Sequence, residues 1–349
     1  MAVTYTGTKF AQTELTEITT ELYQDAATFR DAIIDIQEGH KNAAWVYESK
    51  VTVTAKAASD AAVTADGTIA TAANGTSVQL DFIEFSDFIA EKTLLGTRFE
   101  KSMAAGAYNL VSDEYDRKVL IDIQPAIGES LENMIWNGCK AATAVSIAAL
   151  VPGAAQGSIS AGAQTLVAAM PANLINSLPV TILYNASQAK TVPGAGLGDY
   201  IKVTGIAGAI TSANIAAEYG KMFAAAPQKV SANKTRPAQI FAPLEHVALI
   251  KIANNSVGAA SNKNFLVEGS GASEKISYNG IVINFVPLTG FMIFCDPMYL
   301  KLLMDSMNDL SSLEIGPVAN GAQMRYYKNI QAITTWFTIQ RYITLYGGY

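Results

Sequence analysis

Residues 112–138 read SDEYDRKVLIDIQPAIGESLENMIWNG, and this stretch organises the reading of the rest of the chain. Tyr115, Val119, Ile123, Ile127, Leu131 and Ile135 form an unbroken row at i, i+4 spacing, widened by Leu120 and Met134, which predicts a long helix with one apolar face. Ser112 can cap its start, Asp113 and Glu114 suit the positive end of the helix dipole, and Asn137-Gly138 is a C-terminal stop. Pro125 sits in the middle, where its missing N–H and its ring predict a kink or a split.

Ahead of this helix the pattern changes to alternation. From Ala44 to Ala57, Val51 and Val53 fall on one face of a strand and Thr52 and Thr54 on the other. A second extended run, Ser77 to Phe85, sets Val78, Leu80 and Ile83 among polar residues. Between the two lie Asp66-Gly67 and Asn74-Gly75, dipeptides that favour the positive φ of tight turns. The expectation is one long hairpin whose stem and tip, Thr52 to Thr76, are mostly small and polar. Such residues bury little area at about 25 cal/mol per Å², so the hairpin is expected to project and to need support from a neighbouring molecule. The first 30 residues read as a polar arm carrying a short helix over Glu14–Phe29, with Leu15, Ile18, Leu22 and Ala26 at helical spacing.

Beyond Gly138 the chain is rich in Ala, Gly and Ser up to about Gln164 and then mixes strand and helix signals. A helix is expected over Ala213–Ala225, capped by Ser212 and ended by Pro227, and a strand at Gln239–Phe241 leads into a helix starting at Pro243. Ile281–Val286 and Phe291–Cys295 read as a pair of strands around Pro287–Gly290. Gln331–Tyr346 reads as one unusually long strand. Periods of 20–50 residues are absent, which argues against solenoids and propellers.

The 349 residues exceed what one core usually serves and predict two lobes or more. Only 15% of residues are charged while 50% are hydrophobic, against a charged share of about 25% in ordinary soluble domains. Surface poor in charge fits a molecule that spends its working life in contact with others. A membrane explanation fails, since the best apolar stretch, Ile281–Met304, is broken by Asn284, Pro287, Gly290, Asp296, Pro297 and Lys301. The opening residues do not read as a secretory signal, so the chain is expected to be made in the cytoplasm. Cys139 and Cys295, far apart, read as buried apolar residues and not as a disulfide.

The formal net charge of −6 argues against a basic grip on nucleic acid. Its distribution is uneven. Residues 1–140 carry 11 Lys and Arg against 21 Asp and Glu, a charge of −10, and residues 141–349 carry 13 against 9, a charge of +4.

Chemistry-bearing motifs are sparse. His40 and His246 stand outside any metal-ligand spacing, and a packed structural role suits His246 beside Val247. Gly194-Ala195-Gly196-Leu197-Gly198 has its third glycine too early for a dinucleotide fingerprint, and Asp199–Val203 behind it looks extended where a helix should start. Asp81, Glu84, Asp87 and Glu91 could supply an acid/base pair but fit one solvated polar face. Asn74, Asn185 and Asn233 each open a glycosylation tripeptide that has no meaning for a cytoplasmic chain. The residues point to no catalytic, cofactor-binding or metal site.

The order of segments resembles the major capsid proteins of tailed bacteriophages with the Hong Kong 97-type fold, and so do the helix ending Glu132-Asn133-Met134-Ile135-Trp136-Asn137-Gly138 and the strand entry Tyr278-Asn279-Gly280-Ile281-Val282-Ile283. The resemblance implies an α+β fold with an N-terminal arm at 1–40, a projecting β-hairpin (E-loop) at 41–90, a spine helix and the first part of a peripheral domain at 91–163, an axial domain at 164–310 and a returning peripheral strand at 311–349. It implies a structural protein and no enzyme, which assembles with itself in pentamers and hexamers into an icosahedral virion shell enclosing DNA without sequence-specific contacts. Scaffolding, portal and decoration proteins are the further partners implied, with assembly in the host bacterial cytoplasm. Some relatives crosslink a hairpin lysine; Lys50 and Lys56 lie in that segment, but the sequence identifies no partner residue for them. Pro125 and the lack of a charged extension before the arm depart from the pattern. An encapsulin-type compartment shares the same fold, and another virion protein or an α/β nucleotide-binding enzyme are the remaining alternatives.

Overall fold

The computed structural model describes residues 27–53, 69–90, 126–153, 158–187, 199–206, 208–233, 235–256, 264–269, 274–306, 314–317 and 324–347. The chain divides into two compact units, one formed from segments within 1–42, 80–134 and 302–334 and the other from segments within 43–79, 135–301 and 335–349.

The first unit is built on a five-stranded sheet of β1 (Asp35–Gln37), β4 (Asp81–Ala90), β11 (Leu300–Met304), β12 (Glu314–Pro317) and β13 (Met324–Phe337). Its axis is β13, which pairs antiparallel with β4 over ten residues, from Met324 opposite Ala90 to Ile333 opposite Asp81. Ile83, Leu302, Leu303 and Ile333 are fully buried on this sheet. The segment after Pro125 is helical over residues 126–136, and Ile127, Leu131 and Ile135 are all buried, as the i, i+4 row requires. Gly138, at φ +129, ends it, and a side chain there would collide with Asn173, so glycine is needed twice over. Residues 112–125 lie outside the described residues, as do residues 1–26 and with them most of the helix expected over Glu14–Phe29; residues 27–30 are helical.

The second unit centres on a seven-stranded sheet in the order β5 (Ile201–Val203), β14 (Thr344–Gly347), β10 (Phe291–Cys295), β6 (Gln239–Pro243), β9 (Ile281–Val286), β8 (Lys275–Tyr278) and β7 (Phe265–Glu268). All five residues of β10 are buried, so this strand is covered on both faces. Met292 and Phe294 face a cluster with Ile215, Tyr219 and Met222 of the helix Ile215–Ala225 and Ile250 of the helix His246–Ser256. The alternate residue Phe241 of β6 points the other way and stacks on Trp136 with ring centroids 5.2 Å apart. Each such buried side chain contributes about 1.5–3 kcal/mol of transfer free energy.

Several expectations are corrected. The run Ser77–Phe85 is two strands: β3 (Ile69–Gln79) ends before Leu80, and β4 then enters a different sheet. Asn74-Gly75 is no turn, because both residues lie within β3, paired with Glu48 and Tyr47 of β2 (Ala43–Val53). β9 and β10 are not partners. The strand β6, apolar from Ile240 to Pro243, lies between them, parallel to β9 and antiparallel to β10, because Ile240, Phe241 and Ala242 bury completely only at a central position. Gln331–Tyr346 breaks after Phe337, where Ile339 takes φ +53, and β14 joins the other sheet. The helix assigned to Pro243 begins at His246, since Pro243 is the last residue of β6, opposite Val286. Asn214 and not Ser212 precedes the helix Ile215–Ala225; its Oδ1 accepts from Thr211 N at 2.7 Å instead of capping forward.

Candidate assembly surfaces

β2 and β3 pair antiparallel over eleven residues, from Ala43 opposite Gln79 to Val53 opposite Ile69, and pair with no other strand among the described residues. Eleven pairs make a ribbon about 35 Å long. The ladder is continued at its root by Leu80 N donating to Asn42 O at 2.9 Å. One face of the root is apolar and covered, with Ala44 and its partner Val78 both buried.

The opposite face carries Trp45 and Tyr47, which strand alternation places side by side. Trp45 is 62% exposed and Tyr47 74% exposed, and their rings stack with centroids 6.4 Å apart and planes at 19°. Across the ladder stand Ser77 and Gly75. The Tyr47 ring lies over Gly75, where an added Cβ would come within 2.9 Å of it. The small residues opposite the rings are what let them lie flat on the ribbon. Two large aromatics held flat and open to water are the residue types that carry interface energy. Covering them would release on the order of 5 kcal/mol before association costs. The composition of the segment hides this pair; the Trp-x-Tyr spacing opposite Ser and Gly was its only signal.

The carboxylates of β4 do not share one face, a correction that follows from strand alternation. Asp81 and Asp87 lie on the side of buried Ile83, and Glu84 lies on the other beside Phe82, which is 64% exposed. Glu84 accepts from Ser86 Oγ at 2.8 Å and pairs with Lys328 Nζ at 3.0 Å across the ladder, which together hold its pKa below the usual carboxylate range. Glu91 lies outside the described residues, as do Lys56 and residues 194–198; Lys50 pairs through its backbone with Ala72.

His40 follows Gly39, at φ +91, and its N–H donates to Met304 O at 3.2 Å. His246, in the other unit, is 2% exposed, and its Nδ1 is 3.1 Å from the Tyr219 hydroxyl. Burial lowers its pKa to about 4, so the imidazole is neutral near pH 7. Cys139 and Cys295 are buried free thiols; burial pushes Cys139 up to about 11 and Cys295 further, which keeps both protonated and unreactive. Among the described residues no group of three or more His, Cys, Asp or Glu could hold a metal ion, and no helix is long and apolar enough to cross a membrane.

No family model and no curated protein matches this chain. Solved structures do. The cyanophage A-1(L) capsid asymmetric unit aligns over 99% of this chain and 96% of that one, with 12% identity and a TM-score of 0.52. The capsid of a native GTA particle aligns over 93% of this chain and 90% of that one, with 11% identity and a TM-score of 0.51. Helices, the five- and seven-stranded sheets and the paired ribbon thus build the α+β, Hong Kong 97-like fold of phage capsid proteins, and the chain is a member of that fold.

Proposed function

We propose that this chain is a structural shell subunit, the major capsid protein of a tailed bacteriophage, and that it is not an enzyme. The observation that carries this reading is the shared fold with a capsid subunit along 99% of the chain at a TM-score of 0.52. The ribbon supports it physically. A two-stranded ribbon is marginal alone in water, and the exposed Trp45–Tyr47 stack is an anchor suited to a neighbouring copy.

In this reading residues 1–40 are the arm, 41–90 the projecting hairpin, 91–163 the spine and first peripheral part, 164–310 the axial domain and 311–349 the returning strand. The partners are other copies of the chain in closed pentamers and hexamers, together with scaffolding, portal and decoration proteins. The shell encloses DNA without reading its sequence and is assembled in the host cytoplasm. An encapsulin-type compartment is the less favoured alternative, because both likenesses described above are to capsids.

Sedimentation velocity at micromolar concentration, followed by negative-stain imaging of the heaviest fraction, tests the proposal. Pentamers, hexamers or closed shells are expected. A chain that stays monomeric at every salt and crowding condition overturns it.

A further inference from the structure

In the second unit a cavity of about 290 Å³ opens beside the start of the helix His246–Ser256, lined in part by Ile210, Leu249, Phe291 and Met292. Its size lies at the lower end of small-molecule sites, about 300–1,000 Å³. One buried polar side chain on its wall has a hydrogen-bonding atom to spare. His246, 98% withdrawn from solvent, bonds the Tyr219 hydroxyl through Nδ1 at 3.1 Å. Tyr219 is fully buried, and a phenol proton turned away from Nδ1 would find no acceptor among the described residues, at a cost of about 1–3 kcal/mol. The hydroxyl therefore donates, Nδ1 accepts, and the imidazole proton sits on Nε2.

Among the described residues none accepts that Nε2–H, and Nε2 is not among the fully enclosed polar atoms lacking partners, so it opens on the cavity His246 lines. Tyr346, also on the wall, is already engaged: its hydroxyl donates to buried Glu218 at 2.8 Å and accepts from Ile206 N at 3.3 Å, while Lys221 neutralises Glu218 at 2.8 Å. Glu245, an exposed residue of the lining, places a carboxylate at the mouth.

We propose that this cavity binds a small neutral molecule with an apolar body and a carbonyl-type acceptor. The carbonyl accepts from His246 Nε2–H, and the body packs against Leu249 and Phe291. Charge selects against the alternatives. A carboxylate meets the Glu245 rim and must shed its water among apolar walls, an ammonium brings donors to a nitrogen that cannot accept, and a pure hydrocarbon leaves the Nε2–H unmet. The site does not depend on the shell reading, because its geometry lies wholly within one unit.

Saturation-transfer NMR on the full-length chain tests it in any assembly state, with hexanamide, hexanoate and hexylammonium as probes at about 10 mM, above the roughly 1 mM dissociation constant a ligand this small can reach. Hexanamide is expected to receive saturation and the two ions to receive little. Ala209→Trp, at the exposed mouth, is expected to abolish the hexanamide signal. Tyr219→Phe, which releases the tautomer, and His246→Phe, which removes the donor, are expected to weaken binding, the latter by about five- to tenfold. Absence of any hexanamide signal, equal binding of hexanoate, or a signal unchanged by Ala209→Trp overturns the proposal.

Discussion

The Thr28 hydroxyl donates to Glu132 Oε1 at 2.7 Å, and the Thr28 backbone N–H donates to Glu132 Oε2 at 3.1 Å, so one buried carboxylate receives both donors of one residue. The pair ties residues 27–30 to the helix 126–136, 104 positions away in the chain. Hydrogen bonds to a charged acceptor are worth about 1.5–3 kcal/mol each when buried. Glu132→Gln keeps the shape but turns an amide donor toward one of these donors, and is expected to lower unfolding free energy by about 2 kcal/mol in urea titration. Thr28→Val should cost a similar amount, and the double variant less than the two together. Strict additivity would mean that the residues do not act as a pair.

The Trp45–Tyr47 stack separates subunit stability from assembly. Both rings face water, so Trp45→Ser with Tyr47→Ser should change the stability of the isolated subunit by no more than about 0.5 kcal/mol. Shell yield in sedimentation should collapse. Gly75→Val approaches the same end from across the ladder, because its new Cβ displaces the Tyr47 ring. A variant pair that assembles as the parent does removes the ribbon face from the interface.

The legible parts of the chain were those where one period held in one environment. Ile127, Leu131 and Ile135 announced a buried helix face, and Asn137-Gly138 its end, because helix packing and the positive φ of Gly138 both act locally. Where a strand ran on from one sheet into another, alternation continued and concealed the break, as at Leu80 and at Ile339. Strand partners were also beyond local reading. Only four residues separate Val286 from Phe291, yet β6 lies between their strands because its apolar run Ile240–Pro243 needs cover on both sides. Gly75 misled for a related reason: it serves the ring of Tyr47 across the ribbon, and the turn it suggested does not exist. The cavity beside His246 had no sequence signal, since Tyr219 and His246 meet only through packing of two helices.

His246 makes stability depend on acid. Burial holds its folded pKa at about 4 against 6.5 for the free group, so below pH 6.5 the unfolded chain takes up a proton that the folded chain refuses. The stabilisation is fully present above pH 6.5 and is lost as pH falls toward 4, by up to about 3 kcal/mol in total. Parent and variant share every other side chain, so the comparison isolates the imidazole. Urea midpoints between pH 7 and pH 4.5 should fall less steeply in His246→Gln than in the parent. Parallel slopes would place the imidazole in contact with water.

The charge division bears on how copies meet. Residues 1–140 stand at −10 and residues 141–349 at +4, so in the proposed shell a negative segment of the first 140 residues of one subunit lying over a positive segment of the next gains attraction and avoids like-charge contact. Exposed charges are screened beyond a Debye length of about 8 Å at physiological salt. The effect therefore belongs to encounter and register more than to the finished contact, which in the proposed shell rests on the Trp45–Tyr47 face and other apolar surface. Light-scattering growth from disassembled subunits should show slower nucleation as sodium chloride rises, with final shell yield changed little. Faster nucleation at high salt would mean that the repulsion between subunits of net charge −6 outweighs the internal division, and that the segregated charge does not steer assembly.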